Sequence, residues 1–206
     1  MATIPLDLDG YTDLPPGRIA NIVTFLEMQT PPPSQSTSAI APLAVRPIIA
    51  PALDWYRDLY RRVGERWLWS SRVVMDDRAL AARLADSAIE ILAIERNGAA
   101  IGFAELDRST PGEVEIVMFG VVPEETGTGV AHILMNAVLD RTLMLATRRL
   151  WLHTCSFDHP AAIPFYLRRG FKPFKFAVEV MADPRLSGQM PPTAGPHVPM
   201  IEPDEA

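Results

Sequence analysis

From residue 43 onward, apolar positions alternate between short continuous runs and helical stripes. LAVRPI (43–48) reads as a strand. Pro51 then starts a helix in which Leu53, Tyr56, Tyr60 and Val63 share a face at i, i+3, i+7 and i+10. After WLWSSR comes a shorter helix, Asp76 to Leu84, with Asp76 placed to cap it. EILAIER (90–96) and AAIGFAELD (99–107) flank Asn97-Gly98, the strongest short-range hairpin signal. EVEIVMFGVV (113–122) is another strand. TGTGVAHILMNAVLDRTLML follows as a helix, with Val130, Ile133, Leu134, Ala137 and Val138 on one face. RLWLHTC (149–155) is a strand and PAAIPFYLRR (160–169) a short helix ended by Gly170. FKPFKFAVEVMA (171–182) is a last strand or strand pair. The order β, α, α, β, β, β, α, β, α, β predicts a mixed sheet with helices on both faces, an α/β arrangement of the α+β kind.

The two ends differ from this middle. RIANIVTFLEM (18–28) is β-branched and aromatic enough to form a strand that adds to the main sheet. The Pro-rich stretch TPPPSQSTSAIAP (30–42) separates it from the rest. Residues 184–206 carry Pro184, Pro191, Pro192, Pro196, Pro199 and Pro203 without hydrophobic periodicity, which predicts an extended or disordered tail. The expected organisation is an N-terminal extension (1–42), a main domain (43–183) and a flexible tail (184–206).

Composition narrows the class. At 206 residues and 48% hydrophobic, the chain has enough material for a sizeable core. One cysteine excludes an internal disulfide framework and a cysteine-based zinc cluster, and the histidines have no metal-like spacing, so no metal is expected. No apolar run approaches the roughly 20 residues of a membrane helix, and MATIPLDLDG has no secretory pattern. A soluble cytoplasmic protein is therefore expected. The net charge of −6 argues against general nucleic-acid binding.

Candidate chemistry centres on Val121-Val122-Pro123-Glu124-Glu125-Thr126-Gly127-Thr128-Gly129-Val130-Ala131. A strand runs into a glycine turn that opens directly into a long helix. Such a turn leaves N–H groups unpaired at the positive end of the helix dipole, where a phosphate fits. A glycine turn before an ordinary helix fits the same letters. There is no Gly-Lys-Ser/Thr, and His132 stands where a dinucleotide fingerprint needs its third glycine.

Residues 113–139 resemble motif A of the GCN5-related N-acetyltransferases (GNAT), a strand followed by Gln/Arg-x-x-Gly-x-Gly/Ala and a helix. Gly127 and Gly129 match its small positions, and Glu124 departs from its Gln or Arg. Ala162-Ile163-Pro164-Phe165-Tyr166-Leu167-Arg168-Arg169-Gly170-Phe171 matches a second signature, Ala-x-x-x-Tyr-x-x-x-Gly-Phe, with His159 in a position often held by Asn. The resemblance covers residues 43 to about 181. It implies a mostly antiparallel sheet splayed at its central parallel strands, 115–122 and 149–155, with the pantetheine arm of acetyl-CoA in the gap. Gly120 would mark the bulge that opens it. Backbone groups of Phe119, Val121 and Val122 would pair with the arm. The N–H groups of Gly127, Thr128, Gly129, Val130 and Ala131 would hold the pyrophosphate, and His159 would cap its helix or touch the cofactor.

The resemblance also implies roles. Direct acetyl transfer to a primary amine needs a base, an oxyanion donor and an acid for the leaving thiolate. Glu115 is the candidate base, with Glu113 two residues away as the alternative; Tyr166 is the candidate acid. A backbone N–H near Phe119 would serve the oxyanion. The acceptor stays open between a small amine or amino sugar, a protein N-terminus and a lysine. A non-catalytic acyl-CoA-binding module on the same fold is the alternative function. Trp67 and Trp69 would wall the acceptor pocket or belong to the core. A homodimer is carried over from relatives that pair.

Overall fold

The structure, a computed structural model, describes residues 4–29, 31 and 43–202. Apart from Pro31, the Pro-rich stretch 30–42 lies outside the described residues. Among the described residues, seven strands and four α-helices follow the predicted order: β1 (Arg18–Gln29), β2 (Leu43–Ile48), α1 (Leu53–Gly64), α2 (Asp77–Ala85), β3 (Ile89–Arg96), β4 (Ala99–Asp107), β5 (Glu113–Val121), α3 (Val130–Met144), β6 (Arg149–Cys155), α4 (Ala162–Arg168) and β7 (Lys172–Ala182).

Local chemistry explains most boundaries. The Asp76 carboxylate accepts the Ala79 N–H at 2.8 Å and caps α2. Asn97 and Gly98 both take positive φ, 53° and 82°, which turns β3 tightly into β4. Gly170, at φ 95°, ends the turn after α4. Tyr56, Leu59, Tyr60 and Val63 form the buried stripe of α1.

The strands make one sheet in the order β2-β3-β4-β5-β6-β1-β7. Every neighbouring pair is antiparallel except β5–β6. Every β4 residue from Ala100 to Leu106 is buried, so both faces of the sheet are covered. On one face Phe103 meets the rings of Tyr56, Tyr60 and Trp69. β1 joins the main sheet, as its composition predicts, and enters it between β6 and β7. The last apolar stretch is one strand with a bulge at Phe174, since Phe25 pairs with Lys175 and Leu26 with Pro173.

The tail corrects an expectation. Residues 184–202 contain no helix or strand, but they are not a free extension. Met190, Ala194 and Val198 are buried with Ile19 and Leu68 in a second apolar cluster. The fold of this segment centres on Arg185. Its guanidinium pairs with Asp183 at 2.6 Å and donates to the carbonyls of Ala194 and Val198 at 3.2 and 2.8 Å. A proline-rich chain has few N–H donors of its own. One buried arginine supplies donors to several of its carbonyls, an arrangement that periodicity does not reveal. Among the described residues no helix is long and apolar enough to cross a membrane.

Candidate active site

The site begins where β5 leaves β6. Their parallel pairing runs from Glu113↔Arg149 to Ile116↔Leu152 and stops there. On the other side, β4 pairs Glu105 with Met118 and Leu106 with Ile116, which leaves Val117 as an extra residue. A bulge of this kind bends its strand, and the bend coincides with the separation. The bulge therefore sits at Val117 and not at Gly120. Gly120 has another reason to be glycine: a Cβ there would lie 2.5 Å from Val63 Cγ1, so it admits α1 against the sheet.

The ladder decides which amides face the gap. Val122 donates its N–H to Ile101 O at 2.8 Å, so that group is consumed by β4, contrary to its expected role. Alternation along an antiparallel ladder turns Gly120 the same way and leaves the backbone of Phe119 and Val121 facing the open side.

Below the gap, Gly127 and Gly129 adopt φ of 79° and 90°, where a Cβ would be strained. Thr128 is tied back to Glu125, its N–H at 3.3 Å and its hydroxyl at 2.8 Å from the Glu125 carbonyl. The N–H groups of Gly127, Gly129, Val130 and Ala131 have no acceptor among the described residues. They form a compact set of donors at the positive end of α3. Of the predicted donor run, Thr128 alone is already engaged. The two neighbouring carboxylates do not oppose an anion equally. Glu124 is exposed and does not line the cavity above this turn. Glu125 does line it, and Arg96 neutralises it through two contacts of 2.9 Å.

A cavity of about 520 Å³ runs from this turn through the gap to the α1–α2 connection. Phe119, Gly120, Val121, Gly127, Gly129, Ala131, His159 and Tyr166 line it; Val122 and Glu115 do not. Tyr166 stacks edge-on against Phe119, Phe165 and Phe171. Its hydroxyl has no hydrogen bond among the described residues. Burial, with a smaller push from the Asp158 charge, raises the phenol well above its usual pKa. His159 accepts the Ala161 N–H at its Nδ1, 2.9 Å away, in the turn that leads into α4, while its ring meets Trp67.

The far end of the cavity holds groups that one-dimensional patterns did not mark. His153 lines it, with Nδ1 3.4 Å from the Glu115 carboxylate. Glu115 raises the imidazole above its ordinary pKa, against the opposing effect of burial. Glu113 is held instead by Arg149 at 2.8 Å. Asp158 accepts from Trp69 Nε1 at 2.8 Å and from the Thr154 hydroxyl at 2.6 Å. It has no ion-pair partner among the described residues. Trp69 thus both walls the cavity and packs in the core against Tyr60. Glu179 of β7 accepts from Asn21 of β1 at 2.9 Å. Cys155 also lines the cavity, but burial and then the Asp158 charge push its thiol up to about 11, which keeps it protonated at neutral pH. His153 and Glu179 could have been found only by placing β1 between β6 and β7, a long-range pairing.

No curated protein matches the sequence significantly. Solved structures do match the fold. A GCN5-related N-acetyltransferase from Sphaerobacter thermophilus superposes with a TM-score of 0.57 at 15% identity, covering 91% of this chain and 55% of that one. The PaiA N-acetyltransferase from Thermoplasma acidophilum, solved in complex with coenzyme A, gives 0.51 at 18% identity, covering 63% and 89%. A functionally unknown conserved protein from Staphylococcus epidermidis gives 0.54 at 17% identity, covering 81% of this chain. This chain spans 63% of the length of that protein. Similarity at this level carries the fold alone, but the sequence match is broader: residues 50–171 fit the acetyltransferase (GNAT) family, from the first helix through the Gly-Phe that follows α4. With more than half the chain matched, over the segment that builds the splayed strands and the amide-lined turn, the chain belongs to the GNAT family of acetyltransferases.

Proposed function

We propose that the protein is an acetyl-CoA-dependent N-acetyltransferase that moves an acetyl group directly to a primary amine. One observation carries the assignment. Four unpartnered amides stand at the start of α3 below an open strand edge, and three of their residues, Gly127, Gly129 and Ala131, line the same cavity as that edge and Tyr166. The donors suit the pyrophosphate, the edge suits the pantetheine amides, and the PaiA enzyme solved with coenzyme A shares the fold.

The roles follow from position. Phe119 and Val121 backbone groups hold the arm and present the thioester at the gap, with an N–H near Phe119 for the oxyanion. Asp158, without a neutralising arginine or lysine, favours a cationic acceptor over a neutral one. His153 takes the ammonium proton at Nε2, because Glu115 favours the proton-bearing state of Nδ1. Glu115 therefore acts as a positioning residue through His153. The neutral amine attacks the thioester carbon, the tetrahedral intermediate collapses, and the C–S bond breaks. Tyr166 gives its proton to the departing thiolate, and the phenolate takes up the second proton that the nitrogen sheds as the amide forms; a phenol is protonated at neutral pH and so holds that proton ready.

The test joins calorimetry with acetyl-CoA to thiol release across a panel of small amines, amino sugars, peptide N-termini and lysine peptides. Cofactor binding with turnover supports the enzyme, and Tyr166→Phe then lowers kcat by about 10²-fold. No affinity for the cofactor in folded protein overturns the assignment. Binding without turnover on any acceptor returns it to a non-catalytic acyl-CoA-binding module.

A further inference from the structure

Among the described residues, strand β7 is a free edge of the sheet and runs for 11 residues. Phe176, Val178 and Val180 are 71%, 45% and 46% exposed along it, and Ile22 of β1 adds to the same apolar face. A long apolar edge is a template for another strand unless something blocks it.

The ladder with β1 fixes which backbone groups are unused. Asp183 donates its N–H to Gly17 O at 3.0 Å. Alternation then turns Lys175, Ala177, Glu179 and Met181 toward β1 and leaves Phe176, Val178 and Val180 with outward N–H and C=O groups. Pro173 falls beyond the bulge with its nitrogen on the outward side, where it removes no bond to β1.

We propose that β7 pairs antiparallel with β7 of a second copy, about a two-fold axis at Ala177, joining the two sheets into one. Few registers are open. An axis between residues would set outward groups against inward ones and form no ladder. An axis at Lys175 or at Glu179 would place like charges face to face. An axis at Phe176 or Val178 would leave Lys175 opposite Ala177 or Met181, with no charge partner. The axis at Ala177 sets Lys175 opposite the partner's Glu179, and Glu179 opposite the partner's Lys175. It also sets Phe176 opposite the partner's Val178, with all their outward groups in hydrogen-bonding positions. The strand is self-complementary in charge, in apolar side chains and in free backbone groups at one register.

Pairing would change the site as well. Lys175 lies over the Phe25 ring, 4.4 Å from its centroid, and Glu179 lines the cavity where Asn21 holds it. Opposite residues in a sheet share a face, so the partner's Lys175 arrives beside Glu179 at the cavity wall. Each site then takes one cation from the other copy. This interface does not depend on the acetyl-transfer assignment.

The experiment is sedimentation equilibrium on the full chain, with circular dichroism as the folding control. A dimer is expected. Lys175→Glu and Glu179→Lys each weaken it by about tenfold or more, and the double exchange K175E/E179K restores it because opposite charges face each other again. Val178→Pro deletes an outward N–H while sparing the ladder to β1, and gives a folded monomer. A monomer at all concentrations up to about 100 μM overturns the proposal. So does a dimer that survives Val178→Pro, or a double exchange no more dimeric than the single variants.

Discussion

Glutamine in place of Glu105 is expected to be the most damaging single-atom-scale change in the protein. Glu105 is fully buried in the middle of β4. Arg72 reaches it at 2.7 Å through Nη2 and 3.3 Å through Nε, Arg83 at 2.7 Å, and the Tyr56 hydroxyl donates to it. Burial alone would raise its pKa, but hydrogen bonds and charge from Arg72, with Tyr56 and Arg83, outweigh that and hold it below the usual carboxylate range. Glutamine keeps the shape and loses the charge. Arg72, itself 6% exposed, is left with its guanidinium inside and no full counter-charge. Breaking a buried pair from one side costs about 3–5 kcal/mol. At about 2–4 °C per kcal/mol for a chain of this size, Tm falls by roughly 6–20 °C. Urea denaturation at pH 7 measures the loss. Replacing both partners, R72M/E105M, should recover most of it, because Arg83 is 24% exposed and can turn to water. The sign of the pH dependence follows from the depressed pKa. The stabilisation is present above the carboxylate's unfolded pKa and disappears as pH falls through its folded one, so E105Q should flatten the acid limb of the stability curve. A loss under about 1 kcal/mol, or an acid limb unchanged in E105Q, would refute the account of this cluster.

Three further outcomes are expected. Glu115 raises the pKa of His153, so the acid limb of kcat/KM should lie above 6.5; E115Q should move that limb to lower pH and R149M, which frees Glu113, should not. Gly129→Ala must place a side chain at φ 90° and should cost about 1–2 kcal/mol in urea denaturation, with weaker acetyl-CoA binding by calorimetry. Arg185→Met removes the donors to Ala194 and Val198 and strands Asp183, so limited proteolysis should begin cutting after residue 183 while the sheet still melts cooperatively.

How much of this was legible in the sequence depended on how far apart the interacting residues lie. Elements set by local rules came through: the Asp76 cap, the Asn97-Gly98 turn and the helix after Gly129 each depend on residues within one turn of chain. The glycine turn before α3 was legible for the same reason, although Thr128, read as one of its free donors, is tied back to Glu125. Failures began where a residue's role is set by a distant neighbour. Gly120 reads as a bulge from its own strand, but its space is claimed by Val63 of α1. Val122 reads as a free donor until Ile101, across the hairpin, takes its N–H. The Pro-rich tail lacks periodicity, and its order comes from one arginine that no pattern singles out.

The acceptor end shows the physical cause most clearly. Glu115 faces β6 partners, and whether it meets substrate or His153 depends on a cross-strand distance of 3.4 Å. His153 in turn stands beside β1, a strand separated from it by more than a hundred residues of chain, and β1 brings Asn21 to Glu179 of β7. A site assembled at the junction of β6, β1 and β7 has no short motif to betray it, because entry of β1 between the other two creates the contacts. On the proposed function, the cofactor end is written in consecutive residues, since backbone amides would meet the phosphates there. The proposed acceptor end is built from side chains on three separate strands, so single substitutions there would leave the amide-lined turn undisturbed. That separation predicts that variants at Asn21, His153 and Glu179 will change acceptor kinetics while leaving acetyl-CoA affinity within about twofold, and calorimetry alongside steady-state rates would expose any coupling between the two ends.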